Sequence, residues 1–357
     1  MSILPSAKST DEDKSMDELH VLSKVDGYAG VITLNRPKAL NALSLSMIRE
    51  ITRLLMEWKD DPDVRTIIIQ SSCDKAFCAG GDIRSVYEAR SKGDQDYMIA
   101  IFQEEYLLNF MIHMYPKPYI ALINGIAMGG GLGISIHGSH RIVTERSILA
   151  MPETNIGFFP DVGSSYFLNR CPGEIGTFLG ILGESITAED ALYTGLATHR
   201  LASLDLPGIY QALTLAQSSA EVDDILQDAA GGQSDCFLQT NRNLIDRCFG
   251  FNTIEEIFEA LQQESNSVVR EWLKGTLKKS PTSLKLALAL LRRTKGMSLR
   301  EVLALDFQVS RHCVEAHDFF EGIRALLVDK DLNPVWHPSN LADVSPEMIQ
   351  GYFLARV

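Results

Sequence analysis

Two carboxylates, Glu153 and Asp161, stand eight positions apart in the segment 150–163, which reads AMPETNIGFFPDVG. The rest of this segment is mainly apolar, glycine or proline, surroundings in which a carboxylate is costly. Two carboxyl groups in such a setting can have separated pKa values, so that one acts as base or nucleophile while the other handles protons. The alternative is a surface loop with one helix-capping acid, and this segment alone does not decide between them.

Two glycine-rich loops, at 80–81 and 129–131, each follow a predicted strand, at 66–71 and 119–123 respectively. Glycine lets main-chain N–H groups approach a ligand closely, and two converging N–H groups form an oxyanion hole for an acyl carbonyl. The dinucleotide spacing GxGxxG fails at the second loop, and GxxxxGK[ST] is absent from the chain. For either loop alone, close packing of a helix on a sheet is the competing explanation.

Other candidate nucleophiles and ligands are weaker. Ser135 lies in GISIHG, which does not match the G-x-S-x-G pattern of hydrolases. Cys78 could be a reactive thiol, although its position favours a small buried residue. His137 and His140 are three positions apart, but no further cluster of histidines or acids accompanies them, so we expect no metal site.

The elements that must position these residues alternate between strand and helix up to about residue 204. Short β-rich runs at 21–24 and 29–34 flank Asp26-Gly27, a hairpin signal, and helical spacing predicts helices at 47–59 and about 96–114. In the latter helix we expect apolar positions such as Leu107 to face inward, and Glu104 and Glu105 must point about 100° apart. Helical signals then dominate, including one near 208–229 and one near 299–315 that starts at a capping box of Ser298 and Glu301. We therefore predict a flexible tail at 1–18, an α/β core at 19–204 and a helical C-terminal region at 205–357.

Composition excludes several classes of function. The net charge of −13 disfavours nonspecific nucleic-acid binding, and no apolar run is long enough to span a membrane. The six cysteines are scattered without metal-ligand spacing, which fits free thiols in a reducing compartment. The first 18 residues have neither the apolar centre of a secretory signal nor the acid-poor, arginine-rich character of a mitochondrial transit peptide.

Several motifs occur in the order and spacing typical of one superfamily. The stretches NRP at 35–37, AFCAGGD at 76–82 and NGIAMGGG at 124–131 resemble the crotonase, or enoyl-CoA hydratase/isomerase, superfamily. The resemblance implies an α/β fold with a spiral core of ββα turns and a helical C-terminal region. It also implies that a CoA thioester binds between the glycine loops, with its oxygen against the N–H groups of Gly81 and Gly130.

One position separates the chemistries of this superfamily. Hydratases carry a glutamate two residues after the GGG run, where this chain has Gly133. The stretches MPETNIGFFPDVG and HDFFEGIRA resemble the 3-hydroxyisobutyryl-CoA hydrolase family instead, and the likeness runs from about residue 20 to 340. That resemblance implies Glu153 and Asp161 as catalytic acids, and Glu105 and Gly130 as substrate contacts.

The implied activity is cleavage of 3-hydroxyisobutyryl-CoA, and by extension 3-hydroxypropionyl-CoA, in valine catabolism. No cofactor is expected, because CoA is part of the substrate, and the partner is a small acyl-CoA rather than nucleic acid or membrane. The resemblance allows a homo-oligomer, and it implies the cytoplasm in a bacterium or the mitochondrial matrix in a eukaryote. An enoyl-CoA hydratase or isomerase and a non-enzymatic binding subunit are the alternatives.

Overall fold

The main sheet contains six strands, all from residues 21–201. The structure, a computed structural model, describes residues 19–229 and 236–354, so the predicted tail at 1–18 lies outside the described residues. Neighbouring strands follow the order β1 (Val21–Asp26), β2 (Ala29–Leu34), β3 (Thr66–Ser71), β5 (Tyr119–Ile123), β7 (His140–Thr144) and β9 (His199–Leu201). β1 and β2 form the predicted antiparallel hairpin, with Gly27 at φ +58, and all other neighbours are parallel.

A second, smaller sheet determines where the site forms. Its three parallel strands are β4 (Ala76–Cys78), β6 (Ile126–Met128) and β8 (Ile148–Ala150), and each follows a main-sheet strand in the chain. Because the carboxyl ends of parallel strands meet at one edge of a sheet, the segments that leave these strands are brought together. These segments are the two glycine loops and the segment that contains Glu153.

Helices cover both sheets and make up most of the second half. The core helices are α1 (Leu45–Lys59), α2 (Ile83–Lys92), α3 (Gln95–His113), α4 (Gly130–Ile136), α5 (Ser164–Leu168), α6 (Ile175–Leu182) and α7 (Ala188–Thr194). After β9 the described residues contain helices and no strand: α8 (Leu206–Leu215), α9 (Ser219–Ala229), α10 (Phe237–Thr240), α11 (Arg242–Phe249), α12 (Ile254–Gln263), α13 (Ser267–Thr276), α14 (Pro281–Arg293), α15 (Leu299–Cys313), α16 (His317–Ile323) and α17 (Pro346–Gly351).

Two details of the helix prediction are wrong. The predicted helix at 208–229 is in fact two helices. The first ends where Ala216 takes an extended conformation, and the Ser218 hydroxyl then accepts the N–H of Glu221 at the start of α9. On α3, Leu107 was expected to face inward but is 61% exposed, since the buried stripe passes through Phe102, Glu105 and Asn109 at helical spacing.

A continuous apolar core joins the sheets to the C-terminal helices. Strand alternation divides the main sheet, so that Ile67 and Ile69 face this large core while Ile68 faces a smaller cluster beneath α8 and α9. Phe319 of α16 belongs to the same large core as Phe158, which lies between Glu153 and Asp161. The C-terminal helices therefore form one wall of the region in which the two acids lie.

Candidate active site

A cavity of about 810 Å³ lies where the glycine loops meet the segment that carries the two acids. Its lining includes all five residues predicted from the sequence as site residues: Gly81, Glu105, Gly130, Glu153 and Asp161. The walls are mainly apolar and include the ring cluster of Phe102, Phe158 and Phe319, in which successive ring centroids are 5.5 Å and 4.5 Å apart. The fold thus places the carboxyl groups of Glu105, Glu153 and Asp161 within a largely apolar pocket.

The amides of Gly81 and Gly130 lie side by side at one wall of this cavity. The N–H of Leu43 donates to Gly80 O and the Leu43 carbonyl accepts the N–H of Asp82, each at 2.8 Å. The N–H of Gly81, between these two bonds, therefore lies on the opposite side of the chain. Gly130 begins α4, so its N–H precedes the hydrogen bonds within the helix. A Cβ added at Gly130 would be 3.2 Å from Gly81 N and 2.2 Å from Glu105 Oε1. A side chain at position 130 would therefore displace the Glu105 carboxyl. The two glycine backbones approach closely enough for their amides to serve one oxyanion.

Arg36 and Asn41 hold the first glycine loop in place. Asn41 has φ +57, accepts the N–H of Arg36 at 2.7 Å and donates to Phe77 O at 3.0 Å. Arg36 in turn pairs with Asp82 at 2.7 Å, immediately after the loop. These contacts fix the backbone on both sides of Gly81.

Glu153 lies beneath the second glycine loop, at the start of a 3-10 turn over Glu153–Ile156. A Cβ added at Gly129 would be 2.5 Å from Glu153 Oε1, so glycine is again needed for the carboxylate to approach. Its other oxygen, Oε2, has no hydrogen-bond partner among the described residues. Burial, followed by the charge of Asp161, raises the pKa of Glu153 well above its usual range. Its carboxylate is poorly solvated and can accept a proton or attack an electrophile.

Asp161 is also buried, and its carboxyl has a fixed orientation. The hydroxyl of Tyr106, on α3, donates to Asp161 Oδ2 at 2.7 Å. Burial raises the pKa of Asp161 to about 7, although the hydrogen bond from Tyr106 opposes this rise by stabilising the charged form. This carboxyl can therefore exchange a proton near neutral pH.

Glu105 is the third buried carboxyl and points toward the two glycine amides. Burial, followed by the charge of Asp161, raises its pKa well above the usual range, and its Oε1 has no hydrogen-bond partner among the described residues. Its neighbour Glu104 instead pairs with Arg49 through two bonds of 2.7 Å near the surface. The expected divergence of these two adjacent acids is confirmed.

Cations surround the opening of the cavity in a chain whose net charge is −13. Arg36 is half-buried, while Lys38, Arg84 and Lys330 are exposed. Such a rim can hold the phosphates of a large anionic ligand while its other end reaches the buried carboxyls.

The weaker candidates have structural surroundings. Burial raises the pKa of the Cys78 thiol to about 12, and the Ser135 hydroxyl donates to Gly131 O at 2.8 Å within α4. His137 contacts Val162 O at 2.8 Å, whereas His140 contacts Asp223 at 2.9 Å, so the two rings serve different neighbours. Within 19–229 and 236–354, no group of three or more His, Cys, Asp or Glu residues could hold a metal ion.

Two residues beside the acids were not singled out from the sequence. Nothing in the local sequence around Tyr106 marks its hydroxyl as the partner of Asp161, which lies 55 positions away. Lys279, between α13 and α14, is 5% exposed and bonds to Asn155 in the turn that follows Glu153. Burial lowers the pKa of Lys279 to about 8, and its charge favours the ionised form of Glu153.

Comparisons with known proteins identify the family of this chain. The family model described as "Enoyl-CoA hydratase/isomerase" matches residues 29–353. The curated protein named "3-hydroxyisobutyryl-CoA hydrolase, mitochondrial" from Rattus norvegicus is 44% identical over 348 residues, covering 95% of this chain and 90% of its own length. The protein of the same name from Homo sapiens is 44% identical over 340 residues, covering 93% and 88% respectively.

Solved structures share the fold over nearly the whole chain. A carnitinyl-CoA dehydratase from Mycobacterium thermoresistibile is 35% identical with a TM-score of 0.89, covering 94% of this chain and 97% of its own. An enoyl-CoA hydratase from Rhodobacter sphaeroides 2.4.1 gives the same identity and TM-score, with 94% and 98% coverage. The described part of the chain contains no helix long and apolar enough to cross a membrane.

Proposed function

The chain belongs to the enoyl-CoA hydratase/isomerase family, and on that premise we propose that it hydrolyses the thioester of 3-hydroxyisobutyryl-CoA to the free hydroxy acid and CoA. The observation that carries this proposal is the buried Glu153–Asp161 pair beside two glycine amides. Curated relatives named for this activity are 44% identical over nearly the full chain, which supports it further. The proposal extends to 3-hydroxypropionyl-CoA, which lacks one methyl group, and places the reaction in valine catabolism.

The cavity suits a short hydroxyacyl-CoA. Its cationic rim can hold CoA phosphates, and Phe102, Phe158 and Phe319 limit the space for the acyl chain. Glu105 points toward the amide pair, where the thioester oxygen would lie, so its protonated carboxyl can hydrogen-bond to the acyl group or its β-hydroxyl. A buried polar group that loses its partner disfavours a substrate that lacks the hydroxyl, which gives selectivity against unsubstituted acyl groups.

In the proposed mechanism the thioester oxygen accepts hydrogen bonds from the amides of Gly81 and Gly130. These bonds stabilise the negative charge that develops on this oxygen, and one such donor typically contributes roughly 3–4 kcal/mol. The Glu153 carboxylate either attacks the carbonyl carbon, forming an anhydride that water then hydrolyses, or removes a proton from the water that attacks. In both routes the carbon–sulfur bond breaks and CoA leaves as a thiolate.

Asp161 supplies the second proton-transfer group. With a pKa of about 7 it can give a proton to the departing thiolate and recover one from water, while the hydroxyl of Tyr106 keeps it oriented. The two routes for Glu153 are distinguishable, because hydroxylamine traps an acyl group on Glu153 only if the anhydride forms. In oxygen-18 water, label enters the Glu153 carboxyl only if water attacks the Glu153 carbon of that anhydride, so label there would show the covalent route.

Hydration of an enoyl-CoA is the second candidate function, since solved structures 35% identical to this chain have hydratase and dehydratase titles. The hydratase glutamate expected two residues after the GGG run is replaced by Gly133. A Cβ there would be 2.9 Å from Val162 Cβ and 3.0 Å from Asn109 Nδ2, so the surrounding chain leaves no space for that acid. Loss of crotonyl-CoA absorbance on incubation would reveal hydration and would favour this alternative.

Thiol release measured with DTNB across a panel of short acyl-CoAs tests the proposal. We expect turnover of 3-hydroxyisobutyryl-CoA to exceed that of isobutyryl-CoA, its matched control without the hydroxyl. Glu153→Gln and Asp161→Asn should each lower kcat by roughly 10²–10⁴-fold, as for loss of a general acid or base, with CoA binding retained. Normal turnover by both variants would refute the assignment, and no thiol release from any substrate would favour a binding subunit.

The remaining expectations belong to the same proposal. The mitochondrial names of the curated relatives favour the mitochondrial matrix if the chain is eukaryotic, and the cytoplasm is the expectation if it is bacterial. We expect activity without an added cofactor, which dialysis against EDTA followed by the thiol assay tests. A homo-oligomer stays a prediction, and light scattering of the purified chain gives the answer.

A further inference from the structure

Another buried carboxyl, that of Asp306, lies behind the turn that carries Asp161, and the mechanism above does not use it. Asp306 is on α15, is 0% exposed and shares a helix face with the apolar residues Val302 and Val309. A carboxyl is costly in such surroundings, and an apolar side chain would serve packing better. We therefore expect the Asp306 carboxyl to accept a hydrogen bond that an apolar side chain could not.

The turn at 161–164 has a backbone that the local sequence does not favour. Val162 has φ +51 and Gly163 has φ +75, and the N–H of Ser164 donates to Asp161 O at 2.8 Å. Two central residues with positive φ define a type I′ turn, a conformation that a β-branched residue such as valine rarely adopts. Contacts from elsewhere in the fold must hold this turn in place.

The central peptide of this turn is held from both sides. The N–H of Gly163 donates to Asp306 Oδ2 at 2.8 Å, and His137 Nε2 lies 2.8 Å from Val162 O. These N–H and C=O groups belong to the same peptide unit, so rotation of that unit into another turn type would break both bonds. Burial lowers the pKa of His137 to about 4, which keeps the ring neutral, with a proton on Nε2 to donate.

We propose that Asp306 is a positioning residue for thioester hydrolysis: it accepts the Gly163 N–H and, together with His137, fixes the turn that directs the Asp161 carboxyl into the cavity. This inference rests on the proposed function, because it requires Asp161 to take part in turnover. When the turn relaxes, Val162 can leave its positive φ, and Asp161 loses its alignment with the Tyr106 hydroxyl.

Asp306 acts through an oxygen and not through its charge. Burial, opposed by the bond from Gly163, and the nearby charge of Asp161 raise the pKa of Asp306 well above its usual range, which favours the neutral carboxyl. An amide oxygen in the same place would accept the same N–H. Asparagine should therefore replace Asp306, and leucine, which has a similar size but no acceptor, should not.

The test compares Asp306→Asn and Asp306→Leu with the wild-type chain, using 3-hydroxyisobutyryl-CoA and measuring kcat, KM and the thermal midpoint. Ser310→Ala is the matched control, because Ser310 is buried one turn further along α15 and donates only to Phe307 O. We expect Asp306→Leu to lower kcat by roughly 10- to 100-fold, the scale of a misplacement of about 1 Å, with KM nearly unchanged. Asp306→Asn and Ser310→Ala should keep kcat within about threefold of wild type, less than the loss that misplacement produces.

Wild-type kcat in Asp306→Leu, or an equal loss in Asp306→Asn and Asp306→Leu, would overturn the inference. If Asp306→Leu does not fold, the hydrogen bond from His137 to the carbonyl of the same peptide is tested instead. His137→Phe should lower kcat, and His137→Gln, which keeps a donor, should retain most of it. Equal kcat in these two variants would also overturn it. An inactive wild-type chain refutes the proposed function itself, whereas an active chain unaffected by these changes refutes only the role of Asp306.

Discussion

Removal of the Tyr106 hydroxyl should shift the pH dependence of turnover toward higher pH. In the structure this hydroxyl donates to Asp161 Oδ2 at 2.7 Å, and both side chains are buried, at 3% and 6% exposure. The bond stabilises the ionised carboxylate and thereby lowers its pKa. In Tyr106→Phe that stabilisation is lost, so the pKa of Asp161 rises from its value of about 7.

The size of this shift follows from the strength of one buried hydrogen bond to a charge. Such a bond contributes about 1.5–3 kcal/mol, and one pKa unit corresponds to 1.36 kcal/mol, so we expect a rise of about one to two units. The direction does not depend on whether Asp161 acts as acid or base, because either limb that it controls moves to higher pH. Glu153 titrates together with Asp161, so the measured limb belongs to the pair.

The assay is kcat and kcat/KM for 3-hydroxyisobutyryl-CoA over roughly pH 5 to 10, a range that brackets both limbs of a bell-shaped profile. Loss of thioester absorbance is the readout, since it does not depend on a thiol reagent. Tyr115→Phe is the matched control: the Tyr115 hydroxyl donates to Leu55 O at 2.8 Å, outside the cavity, and its removal should leave both limbs in place. An active Tyr106→Phe variant whose limbs coincide with wild type, or move to lower pH, would refute the role given to this bond.

Three further changes have expected outcomes. Asp161→Asn should lower kcat by roughly 10²–10⁴-fold and should stabilise the fold at about pH 8. The folded pKa of Asp161 is about 7 against the usual 3.8, so wild-type stability falls as pH rises through this window. The difference corresponds to at most about 4 kcal/mol, and a lower thermal midpoint than wild type would contradict the prediction. Gly130→Ala should lower kcat/KM, because its Cβ would displace the Glu105 carboxyl. Gly275→Ala on α13 is the control: its Cβ would meet no atom within 4 Å, so this variant should keep activity and gain about 0.4–1 kcal/mol of stability in chemical denaturation. Gly133→Glu should cost about 1–3 kcal/mol through overpacking and should not hydrate crotonyl-CoA; a folded variant with hydratase activity would show that this position has room for the acid.

Local patterns predicted the elements whose residues interact mainly with near neighbours in the chain. The strands at 66–71 and 119–123 have the predicted bounds, and α15 begins at the capping box of Ser298 and Glu301. The crotonase-like α/β fold, inferred from the glycine-loop motifs, is confirmed by the comparisons. Errors arose where tertiary packing decides the outcome, as for Leu107 on α3.

For the site too, local sequence predicted some features and tertiary packing decided the others. All five residues predicted for it line one cavity, although their catalytic roles stay predictions until the variants are measured. The partner of Asp161 could not be predicted, because Tyr106 is 55 positions away and belongs to an ordinary helical face. Asp306 is further still, 143 positions from Gly163, and the sequence around it indicates only an amphipathic helix.

By itself the sequence determined the family, the two glycine loops and the carboxylate pair, because short motifs require particular residue types at fixed spacing. Only the tertiary structure decided what those carboxyls can do. Burial raises the pKa of Glu105, Glu153 and Asp161 together, and burial depends on how sheets and C-terminal helices pack around them. The orientation of Asp161 likewise depends on contacts from α3 and α15, since a strained turn keeps its shape only through bonds made across the fold.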